Sequence, residues 1–434
     1  MSKIIEVKEF DILTYNKLIP QENSLIRIED KLFDELNNFI TCHEDVNDFV
    51  HKRWKKKIGD IIQLKNYVGV IRLDCGYQIE ILPKVMTSDN KKIKKMLIYM
   101  ITSLKNFPCR NFNMVNLQVE RMSIYEIFIC MYIQEVQLLI KKGISSAYLN
   151  KVDNQNYFKG KLLINEHIKH NFAKRYQFYV SYEEFDINRV ENKLIKSTLI
   201  KLSKESTYHK NKKELMRLLG YFNEVTPSKS YSSDFSKVNL DRTAKVYSNL
   251  MEWSKVFLMN KSFSIFSGES NMQSLLFPME KLFESYVAQQ LKKILYDCSC
   301  NIDTQVKEYY LFDKPDKRFG LKPDIVITKE DGKKIILDTK WKRLINNSKR
   351  DYGISQSDMY QVYAYSKKYE KPNMKPEVWL LYPMTEECKE LNIEYKSMVG
   401  KIVDVSVHVF FVDIINITKS LNTLKEMLGL CANK

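Results

Sequence analysis

Lys322-Pro323-Asp324-Ile325-Val326-Ile327 and, one turn later, Ile335-Ile336-Leu337-Asp338-Thr339-Lys340 form the stretch on which the reading of this chain turns. Each is an apolar run of strand length with a carboxylate at its edge. The register across the connecting turn sets whether the two carboxylates can meet. A two-residue turn centred on Asp331-Gly332 would place Asp324 opposite Thr339 and send the aspartates to opposite sheet faces. A three-residue loop, Glu330-Asp331-Gly332 with Gly332 left-handed in a bulge, pairs Lys329 with Lys333 and brings Asp324 across from Asp338. The loop composition permits this second register. Two strand-borne carboxylates can then hold a divalent cation, and Lys340 projects from the same strand face as Asp338, toward a metal-activated water. The competing reading is a surface hairpin with ordinary salt bridges, because D-x-K is short and common.

The surroundings favour the site. Phe277 to Tyr296 has helical periodicity, with Leu282, Phe283, Tyr286, Val287, Leu291, Ile294 and Leu295 on one arc and Glu280 and Glu284 at its edge. A strand is expected over Thr304 to Phe312, then the Asp324 and Asp338 strands, then a helix from about Gln356 to Tyr369. Apolar strands over Glu377 to Tyr382 and Val405 to Ile414 close the unit. Gln361 and Tyr365 share one helix face. This order, with its Pro-Asp and Asp-Thr-Lys, resembles the PD-(D/E)xK nuclease superfamily from about Phe277 to Ile417. Gln361 and Tyr365 resemble the QxxxY element of its RecB-like branch.

Other blocks narrow the resemblance. Val68-Gly69-Val70 followed by Ile79-Glu80-Ile81-Leu82-Pro83-Lys84-Val85 resembles the IlPK signature of McrC proteins, the nuclease subunits of McrBC-type modification-dependent restriction systems. Phe158-Lys159-Gly160-Lys161-Leu162, His167 to Asn171, Tyr182-Glu183-Glu184-Phe185 and Glu191-Asn192-Lys193-Leu194 resemble the family's central succession. Met279 to Glu284 and Asp338 to Lys342 follow in order. Threonine at 339 departs from the small residues frequent there; on strand parity its side chain should face away from the aspartates.

The resemblance implies a Mg²⁺-dependent endonuclease, with Mn²⁺ as a substitute, that acts in antiviral restriction. It implies a partner, a McrB-like AAA+ GTPase forming a hexameric ring, whose GTP hydrolysis it stimulates. The N-terminal β domain would contact that ring. The substrate would be double-stranded DNA, modified at the recognised site, and double-strand cleavage would require two copies to pair. Asp324 and Asp338 would ligate the metal with the Thr339 carbonyl as third ligand. Lys340 would position the water, Glu284 (or its competitor Glu280) would hold a water or second ion, and Gln361 with Tyr365 would orient Lys340 or the phosphate. Three alternatives keep some of these features: a stand-alone RecB-like repair nuclease, a non-enzymatic GTPase-activating scaffold, and an RNA-directed nuclease.

Composition is compatible with this. A chain of 434 residues exceeds one ordinary core, and 44% hydrophobic content is ample for folding. The net charge of +16 favours a polyanionic partner, although the abundance of lysine, asparagine, isoleucine and tyrosine is also what AT-rich coding would produce. Three basic clusters are candidates for DNA contact: Lys52 to Lys57, Lys91 to Lys95, and Lys169, His170, Lys174 and Arg175. Eight scattered cysteines lack zinc spacing and are expected to be reduced. No P-loop is present, since Gly160-Lys161 runs into Leu162, so any motor must be another protein. Neither a spanning segment nor a signal peptide is apparent, and a soluble cytoplasmic protein is expected.

The fold class expected is α+β and multidomain. Residues 1–115 read as a β-rich, partner-contacting domain with a helical layer, 116–240 as a central helical and β region, and 241–434 as the nuclease domain. Within them, Asp30 to Asn38 and Val46 to Lys57 look helical, and a hairpin turns at Cys75-Gly76-Tyr77. Ser88-Asp89 and Ser123 are placed to cap helices reaching Leu104 and Lys142. Strand-like Ala147 to Leu163 precedes helices near Ile164 to Ala173 and Arg189 to Ser206. Thr226 to Ser233 is expected to be a loop, Lys245 to Asn260 a helix on the nuclease core, and Ser262 to Ser274 irregular.

Overall fold

A computed structural model describes residues 3–16, 24–42, 49–56, 58–73, 76–87, 89–105, 107–109, 112, 122–174, 176–238, 245–259, 274–372, 374–388, 391–399 and 402–430. Contacts divide the chain into two compact units. One combines Lys3–Arg121 with Leu275–Lys434, and the other is Met122–Ser274. The chain's beginning and its last third therefore build one body.

The first segment contains β1 (Ile4–Lys8), β2 (Ile12–Thr14), β3 (Leu25–Arg27), α1 (Asp30–Cys42), β4 (Val50–Lys55), β5 (Gly59–Leu64), β6 (Tyr67–Arg72), β7 (Gln78–Leu82) and α2 (Asn90–Thr102). Strands β3-β2-β5-β4 form one sheet in that order. The expected helix at Val46 to Lys57 is instead β4, paired antiparallel with β5 from Val50↔Leu64 to Lys55↔Gly59. Every side chain of β4 after Val50 is exposed, so this lysine-rich stretch is a solvated edge strand, protected from further pairing by its charge. Residues 46–48 and 57 lie outside the described residues. Asp89 accepts from Lys91 N at 3.0 Å and caps α2. Lys94 is buried, paired with Glu80 at 2.8 Å and Glu6 at 3.1 Å, which removes it from the solvent-facing basic cluster expected there.

The second unit contains α3 (Ile124–Lys142), β8 (Ala147–Gln155), β9 (Lys161–Leu162), α4 (Ile164–Asn171), β10 (Phe178–Asp186), α5 (Val190–Glu205), α6 (His209–Gly220), α7 (Tyr231–Lys237) and α8 (Lys245–Met259). Ser123 caps α3, accepting from Glu126 N at 3.2 Å. The helix expected on the nuclease core, α8, packs here: Trp253 is fully buried, stacked on Phe257 at 5.5 Å and tilted against Phe128 of α3 at 6.0 Å. α7 begins at Tyr231, inside the expected loop. The Glu-Asn-Lys-Leu block is architectural: Asn192 Nδ2 donates to the Ser145 and Ile187 carbonyls at 3.0 and 2.8 Å, and its Oδ1 accepts from Tyr247 OH at 2.8 Å.

The last segment contains β11 (Ser274–Pro278), α9 (Met279–Ile294), β12 (Cys300–Thr304), β13 (Tyr310–Phe312), β14 (Arg318–Gly320), β15 (Ile325–Lys329), β16 (Lys334–Thr339), α10 (Gln356–Tyr369), β17 (Glu377–Pro383), β18 (Ile393–Val399), β19 (Ile402–Val412) and α11 (Ile417–Met427). Six strands form a mixed sheet, β12-β15-β16-β17-β19-β18. The step from β16 to β17 is parallel, with α10 as its crossover, and that from β17 to β19 is parallel as well. The strand expected over Thr304 to Phe312 is broken. β12 ends at Thr304, Gln305 takes φ +52°, and Tyr310–Phe312 pairs with β14 instead. β11 joins the N-terminal strands in a sheet of order β1-β7-β6-β11. Their contact depends on Gly69, where φ is +134° and a Cβ would lie 2.0 Å from the Leu275 carbonyl oxygen. Residues 262–273, expected to be irregular, lie outside the described residues.

Candidate active site

The hairpin of β15 and β16 adopts the three-residue loop. Lys329 N donates to Lys333 O at 2.9 Å, Gly332 has φ +82°, and the ladder runs Ile325↔Leu337 through Thr328↔Lys334. Continued by one step, this register sets Asp324 against Asp338. The strands themselves are held by Ile325, Ile327, Ile335, Ile336 and Leu337, all fully buried.

Asp324, just ahead of β15, is fastened at one oxygen. Its Oδ2 accepts from Thr339 N at 2.7 Å and from Thr339 Oγ1 at 2.6 Å. The Thr339 side chain thus turns toward Asp324 and not away from it, because the hydroxyl reaches the carboxylate at the open end of the hairpin. Asp338 is 1% exposed, and its Oδ2 lies 2.5 Å from Lys340 Nζ. Lys340 Nζ donates to Gln361 Oε1 at 2.9 Å, and Gln361 Nε2 donates to Tyr365 OH at 2.6 Å. A continuous chain therefore runs from Asp338 through Lys340 and Gln361 to Tyr365, a residue buried on α10.

The electrostatics follow from crowding two acids in a dry place. Burial, then the Asp324 charge, pushes Asp338 up to about 7. Burial also raises Asp324, against the pull of the Thr339 hydrogen bonds and Lys340. Burial works against the charge of Lys340, but Asp338 beside it holds its pKa above the usual lysine value. The Tyr365 hydroxyl is raised by burial and by Asp338, so it stays protonated.

Of the two glutamates on α9, Glu284 faces this centre. It accepts from Gln305 Nε2 at 2.7 Å and is raised by burial and then by the Asp324 charge. Glu280 is turned to Asn66, whose Nδ2 donates to it at 3.2 Å. Gln305 was not singled out from sequence; its backbone N also donates to Asp324 O at 3.0 Å, which ties the end of β12 to the site. Lys342 and Asp358 were missed too. Lys342 Nζ bonds both Asp358 oxygens, at 3.0 and 2.8 Å, and the Asp358 charge reaches Asp338 and Lys340. The alternation Asp338, Lys340, Lys342 was a usable signal for Lys342. Glu9 had none: it is 1% exposed, and both of its oxygens accept from Trp341 Nε1, at 3.1 and 2.9 Å. Among the described residues there is no group of three or more His, Cys, Asp or Glu side chains that could hold a metal ion.

Fold and site together define an α+β protein of two units whose mixed sheet carries two aspartates and a lysine at adjoining strand ends. The chain belongs to the McrBC 5-methylcytosine restriction system component family, whose model matches residues 62–383. Its fold is similar to a chain in the refined half-complex from the tetradecameric assembly of Thermococcus gammatolerans McrB AAA+ hexamers with bound McrC. That likeness has a TM-score of 0.62 and 19% identity and covers 97% of this chain and 100% of that one. A chain of the cryo-EM Thermococcus gammatolerans McrBC complex is similar over 68% of this chain and 88% of its own, at 18% identity and TM-score 0.49. No curated protein matches this chain. The resemblance to McrC read from the IlPK and Glu-Asn-Lys-Leu blocks is borne out. No helix among the described residues is long and apolar enough to cross a membrane.

Proposed function

We propose that this chain is the DNA-cleaving subunit of a McrBC-type restriction system, a PD-(D/E)xK nuclease that hydrolyses phosphodiesters of double-stranded, modified DNA. The carrying observation is the convergence of Asp324, Asp338 and Lys340, with Gln361 and Tyr365 behind them, at one end of the hairpin. Its partner would be a McrB-like AAA+ GTPase ring, in line with the assembly of McrB AAA+ hexamers with bound McrC that this fold resembles. Two copies would pair to cut both strands.

The side chains fit Mg²⁺. Two carboxylates that burial raises, Asp338 further by the Asp324 charge and both only partly offset by Lys340, are stabilised by a divalent cation. Two carboxylates and the Thr339 carbonyl would hold it, with the remaining positions left to water, the usual habit of this ion. When bound, the ion supplies charge to the phosphate and lowers the pKa of a coordinated water. The protein does the rest. Thr339 fixes which oxygen of Asp324 is available, and Asp338 keeps Lys340 charged. Gln361, itself aligned by Tyr365, aims Nζ so that it can position the attacking water and offset charge on the phosphorane. Glu284, which feels the Asp324 charge, can hold a further water.

The test is co-purification with a ring-forming GTPase, followed by cleavage of modified and unmodified DNA with Mg²⁺. Asp338→Ala and Lys340→Ala should abolish cutting while both variants still fold and stimulate GTP hydrolysis. Full cleavage by either one refutes the assignment.

A further inference from the structure

The IlPK segment remains outside the mechanism, yet its lysine lies close to the catalytic strand. Lys84 lines a cavity of about 370 Å³ together with Val85, Met86, Arg343, Thr385 and Glu386, among others. β16 and β17 run parallel, with Thr339 beside Leu381, so Arg343 and Thr385 follow the two strands out of the sheet at the end that carries Asp338 and Lys340. In sheets with parallel strands, ligands gather at this carboxyl edge.

The cavity has built walls. The buried Glu9 carboxylate accepts from Lys84 N at 2.9 Å and from Trp341 Nε1, so one side chain fastens both the segment bearing Lys84 and the segment leading to Arg343. Thr385 is 7% exposed, and its Oγ1 is buried with no hydrogen-bond partner. A buried hydroxyl in that state is unusual and is free to bond a polar group in the cavity. The Lys84 ammonium is only loosely paired, 3.7 Å from Asp11 Oδ1. Arg343 is exposed, and its guanidinium can take a phosphate through two parallel hydrogen bonds. Glu386 is the acidic member of the lining and opposes an anion.

We propose that the cavity of Lys84, Arg343 and Thr385 is an anion subsite that takes a non-scissile backbone phosphate of the nucleic acid beside the cleavage centre. It rests on the nuclease reading for the identity of the anion. Arg343 and Lys84 supply charge, and the Thr385 hydroxyl supplies a neutral hydrogen bond.

The experiment uses the full chain carrying Asp338→Ala, so that binding is read without cutting. A fluorescein-labelled DNA duplex is titrated by anisotropy over a series of KCl concentrations. Arg343→Gln and Lys84→Gln should each weaken binding and lower the slope of log K against log salt by about 1. Thr385→Val should weaken binding with the slope unchanged, and Glu386→Gln should tighten it. Lys292→Gln, on the exposed side of α9, is the control for lowered net charge and should have a smaller effect. The proposal is overturned if Arg343→Gln keeps the parental affinity and slope, if Lys292→Gln matches it, or if the full chain does not bind the duplex at all. Normal cleavage by the otherwise wild-type chain with such a result would leave the nuclease reading standing. The predicted binding pattern without any cleavage would remove the nuclease reading alone.

Discussion

Glu9 offers a measurement that isolates one buried charge. Burial raises its pKa from 4.5 to about 7, against the opposing hydrogen bonds from Lys84 N and Trp341. A carboxyl whose folded pKa lies above its unfolded value contributes stability that is fully present below about 4.5 and is lost as pH rises through about 7. The shift of about 2.5 units corresponds to roughly 3.4 kcal/mol in full, of which about 2.5 kcal/mol falls between pH 5 and pH 8. Glu9→Gln keeps an oxygen for Lys84 N and Trp341 Nε1 but cannot ionise. Urea denaturation of both proteins across that pH range should show the variant gaining on the wild type by about 2.5 kcal/mol from pH 5 to pH 8. Asp338, also raised, is common to both proteins and cancels in the difference. A difference that stays flat with pH would refute the claim that Glu9 is held protonated near neutrality. A difference of the opposite sign would mean that the Lys84 and Trp341 contacts select the carboxylate.

Gln361→Ala removes the acceptor that aims Lys340 Nζ and should lower the cleavage rate by about 10- to 100-fold with the affinity for DNA unchanged, whereas Tyr365→Phe should lose less. Steady-state kinetics with the partner present would separate the two effects. Glu284→Gln should reduce cleavage more than Glu280→Gln, because the Asp324 charge bears on Glu284 while Glu280 is turned to Asn66; equal losses would place α9's contribution elsewhere. Gly69→Ala should destabilise the chain by about 2–4 kcal/mol, since a Cβ there meets the Leu275 carbonyl oxygen in a backbone region that disfavours side chains. An unchanged melting temperature would show that β6 and β11 can move apart.

The hairpin was legible because strand parity is a two-valued question, and Glu330-Asp331-Gly332 with its left-handed glycine answers it locally. The α10 helix was legible because its periodicity lies within the segment, and the structure adds Ser355 as its cap. What sequence reading missed was decided at a distance. Val50–Lys55 carries lysines at a spacing that suits a helix, and only pairing with β5 makes it a strand. The α8 helix presents Trp253 and Phe257 to whichever core receives them, and nothing in the segment names α3. Thr339 failed differently: parity was right for the strand interior, but at the strand end a hydroxyl can reach around to Asp324. Glu9 lies 332 residues from Trp341, beyond the reach of any spacing argument.

The sheet in which β1, β7 and β6 meet β11 has a bearing on how the protein is made. A ribosome releases the first three of these strands long before Ser274 to Pro278 exists, and until then the β11 side of β6 is an open edge. The intervening Met122–Ser274 unit is contiguous in sequence and can close on its own contacts while synthesis continues. The other unit cannot, because β6 must first be reached by β11 across a loop of nearly half the chain. Trp341 reaches its buried carboxylate later still. The cluster of Asp324, Asp338 and Lys340 is thus among the last parts of the molecule to be assembled, and a nascent or truncated chain would lack it.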